Sequence, residues 1–177
     1  MKSFRLALCL VVLCCVVLFD PDTLTARQGD RLSGTYTLDE SASDNIKDVI
    51  DSAVGKLNFL IRPLARERLT KLNPAYHIVT IASASNELSV TVDRQPALKA
   101  PANGTTVVWE GPDGGKVNVS MQLKHGHLVQ TFKSADGGRI NHYTLSPDGR
   151  VLTMQVTETS PRLTQAIQYK QVYKRVS

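Results

Sequence analysis

Leu128-Val129-Gln130-Thr131-Phe132-Lys133, then Asp136-Gly137-Gly138, then Arg139-Ile140-Asn141-His142-Tyr143-Thr144-Leu145, then Pro147-Asp148-Gly149: this stretch decides the fold of the chain. Short runs of mixed apolar and polar residues alternate with Asp-Gly turns. A tight hairpin needs positive φ, and glycine adopts it without steric cost. The rhythm extends toward the N-terminus through His125-Gly126 and Asp113-Gly114-Gly115. Strands of this length, punctuated every 8–12 residues or so, read as an up-and-down antiparallel sheet, most economically a closed barrel.

Working outward, Val117, Val119, Met121 and Leu123 share one face of a strand, as do Leu152, Met154 and Val156. This period-two pattern marks strands with one buried face. About nine strands are expected, over 34–39, 76–83, 88–93, 106–110, 116–123, 128–133, 139–145, 151–158 and 165–174, with a proline-containing loop at 95–103. The class is mainly β, with a helical pair inserted after the first strand. Ile46, Val49, Ile50, Ala53, Leu57, Leu60, Ile61 and Leu64 repeat at helical spacing. Ser41 and Ser43 offer N-caps. Pro63 should break the run into pieces near 43–61 and 63–72, because proline removes a helix hydrogen bond and clashes with the preceding turn.

Lys2 and Arg5 precede an uncharged apolar run, Leu6 to Phe19. A spanning helix needs ~20 apolar residues. The shorter run suits a signal peptide of residues 1–26, cleaved after Ala26, leaving a barrel domain of residues 27–177 that is secreted or periplasmic. Cys9, Cys14 and Cys15 all lie within that segment. The domain therefore has no disulfide, thiolate ligand or cysteine nucleophile. The formal net charge is +5. It survives cleavage, since the removed basic and acidic residues balance. Aromatics are few and do not interleave with basic residues, so no nucleic-acid platform is expected.

Catalytic signatures are absent: no H-E-x-x-H, no G-x-S-x-G, no glycine-rich phosphate loop. His125 and His127 flank a turn glycine and read as turn residues rather than metal ligands. No enzyme activity, metal or cofactor is expected. The basic amphipathic segment 43–72 reads as a plug or lid for the barrel ahead of a membrane-surface helix.

A Gly34-Thr35-Tyr36 opening strand, a helical pair and then a hairpin meander resemble the calycins. The layout is most similar to the intracellular fatty-acid-binding proteins and the lipocalins. The C-terminal third carries the likeness: Leu123-Lys124-His125-Gly126-His127-Leu128, Asp136-Gly137-Gly138, Asp148-Gly149-Arg150-Val151 and Val172-Tyr173-Lys174-Arg175. The resemblance implies a barrel with helices over its mouth and a small hydrophobic or amphipathic, lipid-like ligand inside. It also implies a carboxylate held by Arg-x-Tyr on the last strand. Here Gln171-Val172-Tyr173 stands at that place, and the second arginine of the family falls near His142.

On the last strand Lys170, Val172 and Lys174 should face water, turning Ile167, Tyr169, Gln171 and Tyr173 inward. Tyr173, Gln171, Tyr169 and His142 are the expected polar contacts, with Met121, Phe132 and Trp109 as apolar wall. Neutral contacts of this kind discriminate weakly between an acid and its neutral analogue, with His142 favouring the acid only when protonated. A preference independent of pH would require another cation, Arg175 or Arg139. A barrel filled with side chains, acting as a structural or protein-interaction module, is the alternative, because filling and lining look alike in sequence.

Overall fold

The computed structural model describes residues 29–110 and 115–176. The segment read as a signal peptide, and Asp113-Gly114 of the first turn signal, lie outside them. Ten antiparallel strands form one sheet: β1 (Gly34–Leu38), β2 (Ile78–Ala84), β3 (Glu87–Val92), β4 (Leu98–Pro101), β5 (Asn103–Glu110), β6 (Lys116–Lys124), β7 (His127–Ser134), β8 (Gly137–Leu145), β9 (Val151–Thr159) and β10 (Ile167–Arg175). The spatial order is β4-β3-β2-β1-β10-β9-β8-β7-β6-β5. From β5 to β10 every hairpin pairs with the next, and β10 returns to β1.

The two outer strands of this order are consecutive in the chain, which nearly closes the barrel. Between them Ala102 donates its N–H to Asn86 O at 2.8 Å and accepts from Leu123 N–H at 3.0 Å. One residue thus bonds toward both edges of the sheet. Gly104, at φ +90°, and a register shift between Asn103 and Thr106 turn the corner. Bulges and glycines bend strands in this way. The expected loop at 95–103 therefore holds a tenth strand. Leu98, Ala100 and Ala102 alternate inward and are buried. Pro101 obscures that pattern, yet proline is tolerated where a strand sits at an edge or corner.

The helical pair is α1 (Ile46–Gly55) and α2 (Arg62–Leu72). Pro63 lies in the first turn of α2, where its missing N–H costs nothing. α1 ends six residues earlier than its apolar spacing suggests. Arg62 explains the stop: its Nη2 donates to Gly55 O at 2.8 Å and its Nε to Leu57 O at 2.9 Å, satisfying carbonyls at and just beyond the helix end. The N-cap is Asn45, whose side chain accepts from Lys47 N–H, rather than Ser41 or Ser43. Ser43 instead accepts from Val172 N–H at 2.8 Å, and Asp44 from Lys170 N–H at 2.7 Å. Both tie the approach to α1 onto β10.

Ile50, Ala53, Val54 and Leu57 carry the helical pair onto the barrel; α2 adds only Leu69 to the core. Ile61, which shares the apolar spacing of these residues, is 48 % exposed because it lies at the rim of the opening beneath α2.

Candidate functional site

The two ends of the barrel differ. At the end marked by the β8–β9 turn, the interior is packed solid with Tyr36, Met121, Leu128, Tyr143, Leu152, Met154 and Tyr173, all essentially inaccessible. Arg175 seals this end. It donates to Gly149 O, Ser33 O, Arg31 O and the Tyr36 hydroxyl, at 2.6–2.8 Å, and its guanidinium lies 4.9 Å from the Tyr36 ring centre. With those bonds made, Arg175 is a structural clasp.

Toward the β7–β8 turn the interior opens into a cavity of about 650 Å³ beneath α2 and the connection that leads into it from α1. This lies within the range of small-molecule sites, ~300–1,000 Å³. Leu57, Leu64, Leu69 and Leu72 face it from the helical side; Val90, Leu98, Trp109, Val117 and Phe132 face it from the sheet. The barrel is thus filled in one half and open in the other.

A polar cluster crosses the wall on β7 and β8. Gln130 Oε1 accepts from Asn141 Nδ2 at 3.0 Å and from the Tyr143 hydroxyl at 3.1 Å. Arg139 Nε donates to Asn141 Oδ1 at 2.8 Å. Its Nη1 reaches Leu72 O at 3.2 Å and Asn73 Oδ1 at 3.3 Å, at the end of α2. Its Nη2 is buried without a partner. Opposite Arg139 on β9 stands Glu158, whose Oε2 is likewise buried and unpartnered. Gln130, Arg139, Asn141, Tyr143 and Glu158 all line the cavity. Burial pushes the Tyr143 and Tyr173 phenols far up and that of Tyr169 up to about 12, so all three stay neutral donors at physiological pH.

Of the residues singled out from sequence, Trp109 and Phe132 line the cavity. Met121, Tyr169, Gln171 and Tyr173 point inward but lie outside its lining, and the three polar ones bond within the protein. Tyr169 donates to Asn73 Oδ1 at 2.9 Å, and Tyr173 to Gln171 Oε1 at 3.2 Å. His142 sits between inward Asn141 and Tyr143 and so faces outward. Its ring stacks on His127 at 5.2 Å, and His127 Nδ1 lies 3.1 Å from Thr144 Oγ1. His142 is therefore corrected from an interior contact to an outer-face residue. The inward residue near it is Arg139, and the signal is parity. Arg139, Asn141 and Tyr143 share a face, while Ile140, His142 and Thr144 make the other.

Asn73 is a further residue whose role the sequence concealed. As Asn73-Pro74 it reads as a helix terminator. It is buried, and its Oδ1 accepts from both Arg139 and Tyr169.

No family model and no curated protein matches the sequence. Solved structures share the fold. A Schistosoma mansoni fatty acid binding protein in complex with arachidonic acid is 17 % identical, with a TM-score of 0.56 over 85 % of this chain and 99 % of its own. A secretory abundant heat soluble protein of Ramazzottius varieornatus is 11 % identical, with a TM-score of 0.58 over 82 % and 95 %. A zebrafish ileal bile acid-binding protein with cholic acid is 12 % identical, with a TM-score of 0.53 over 82 % and 99 %. The fold is similar to that of the fatty-acid-binding proteins. Compared with the expectation, it has ten strands rather than nine.

Proposed function

We propose that this barrel is a non-enzymatic binding protein for a small amphipathic, lipid-like molecule, whose anionic end rests on Arg139 and whose apolar part lies between the helices and Trp109, Val117 and Phe132. One observation carries the reading: the buried and unpartnered Nη2 of a half-buried Arg139, in the wall of a largely apolar cavity. A buried donor left without an acceptor is costly, so a bound anion that accepts from Nη2 completes the site. The arachidonic acid and cholic acid named with two proteins of the same fold are both amphipathic acids, which supports the class of ligand.

Arg139 takes the place of the absent last-strand arginine. Tyr169, Gln171 and Tyr173 then stay bonded within the protein, outside the cavity's lining. A guanidinium keeps its charge at all physiological pH, so the preference for an acid is independent of pH. This replaces the expectation built on protonated His142.

The test is displacement of a fluorescent fatty-acid probe by dodecanoic acid, on the unmodified protein and on Arg139→Gln. A hydrogen bond to a charged group contributes about 1.5–3 kcal/mol, so the substitution should weaken the acid by roughly ten-fold or more. Equal affinity in the two proteins, with unchanged unfolding midpoints, would remove Arg139 from the site.

Export remains part of the proposal on the strength of residues 1–26. N-terminal sequencing of exported material should begin near Arg27; an intact Met1 terminus in a membrane fraction would contradict it.

A further inference from the structure

Arg139 and Glu158 are direct cross-strand partners on β8 and β9, and both face the cavity. Side chains so placed have Cβ atoms about 4.5–5.5 Å apart, and opposite charges there attract. Yet they form no ion pair, and each keeps one buried atom without a partner, Nη2 of Arg139 and Oε2 of Glu158. The reason is visible in the other bonds of Arg139. Asn141 Oδ1, Leu72 O and Asn73 Oδ1 hold its guanidinium toward the end of α2. The cavity wall is therefore set with a donor and an acceptor side by side, held apart from one another.

Resting on the reading of the cavity as an anion-headed lipid site, we infer that its ligand is an acid carrying a hydrogen-bond donor next to its carboxylate, a 3-hydroxy or 2-amino acid with an apolar tail. The carboxylate meets Arg139 and the neighbouring hydroxyl or ammonium meets Glu158. A plain fatty acid satisfies only half of the wall. Its carboxylate also comes to lie beside that of Glu158, and like charges at that range repel. A donor between them removes the conflict and satisfies the orphaned oxygen.

The experiment compares dodecanoic, 3-hydroxydodecanoic and 2-aminododecanoic acid by displacement of one fluorescent probe. The unmodified protein and Glu158→Gln are titrated in parallel, with urea midpoints as a folding control. At least one substituted acid should bind about ten-fold or more tightly than the plain acid. Glu158→Gln should reduce that advantage and should tighten plain dodecanoic acid. A mere loss of structure would not produce such a gain. An advantage confined to the amino acid identifies a zwitterionic head; one shared by the hydroxy acid identifies a neutral donor. Equal binding of all three, with Arg139 still required, would overturn this inference and leave the anion site standing. Failure of every acid to bind would overturn both.

Discussion

Arg68 Nη2 lies 3.0 Å from Asp136 Oδ2, joining helix α2 to the turn between β7 and β8 across the mouth of the cavity. Arg162, from the β9–β10 connection, approaches the same carboxylate at 3.8 Å. Three separate segments therefore meet at one exposed acid beside the opening.

Exposed ion pairs contribute little to stability, about 0–1 kcal/mol. Asp136→Asn should therefore leave the urea midpoint nearly unchanged. It should nonetheless loosen the rim and speed release of a bound fluorescent fatty acid, followed by stopped flow. Unchanged release would show that α2 is held at the mouth by other contacts, such as those of Arg139 to Leu72 and Asn73.

Leu57 is buried where α1 meets the barrel, whereas Leu64 on α2 is 70 % exposed. Leu57→Ala should destabilise the fold by about 2–5 kcal/mol, as truncation of a buried leucine does. Leu64→Ala should cost no more than roughly 0.5 kcal/mol, as at other exposed positions. Leu64 lines the cavity, so the same change should weaken binding of a long-tailed probe. Urea unfolding and probe titration separate the two effects.

Gly137 opens β8 at φ +151°, and a Cβ there would run into the carbonyl oxygen of Thr159. Backbone strain of this kind costs of order 1–3 kcal/mol. Gly137→Ala should lower the thermal midpoint. Gly55→Ala is the control, since nothing stands near its Cβ; a helical alanine there should stabilise by up to about 1 kcal/mol.

Burial, and secondarily the neighbouring His127, lowers the pKa of His142 below the ordinary 6.5. The unfolded chain then binds more protons than the folded one as pH falls through 6.5 toward the lowered value. His142 should therefore make stability fall with falling pH in that window and rise again with pH. NMR titration of His127→Gln should move His142 only part of the way back, since burial is the larger cause. A full return to the ordinary value would assign the whole shift to the histidine pair.

The barrel was legible because hairpin turns and two-residue periodicity are local signals. Val119, Met121, Leu152, Met154 and Val156 are buried as their alternation implies. The tenth strand was hidden because Pro96 and Pro101 break the pattern, and because Ala100 and Ala102 are too small to announce a core face. The polar wall was harder still. Both faces of 139–145 mix polar and apolar residues, so composition does not say whether Arg139 or His142 turns inward. Only pairing with β7 and β9 fixes that parity. Asn73 was illegible for another reason: its partners Arg139 and Tyr169 are 66 and 96 residues away.

On the proposed function, Arg139 anchors an anion inside the open half of the barrel. Affinities of dodecanoic acid and its methyl ester, measured by probe displacement at pH 6 and pH 8 on the unmodified protein and on Arg139→Gln, test it most directly. The ester keeps the tail and loses both the charge and any donor. The acid should bind about ten-fold or more tightly than the ester at both pH values, and Arg139→Gln should abolish that difference while sparing the ester. An acid and an ester that bind alike, or a preference that survives the loss of Arg139, would mean that Arg139 does not anchor the ligand.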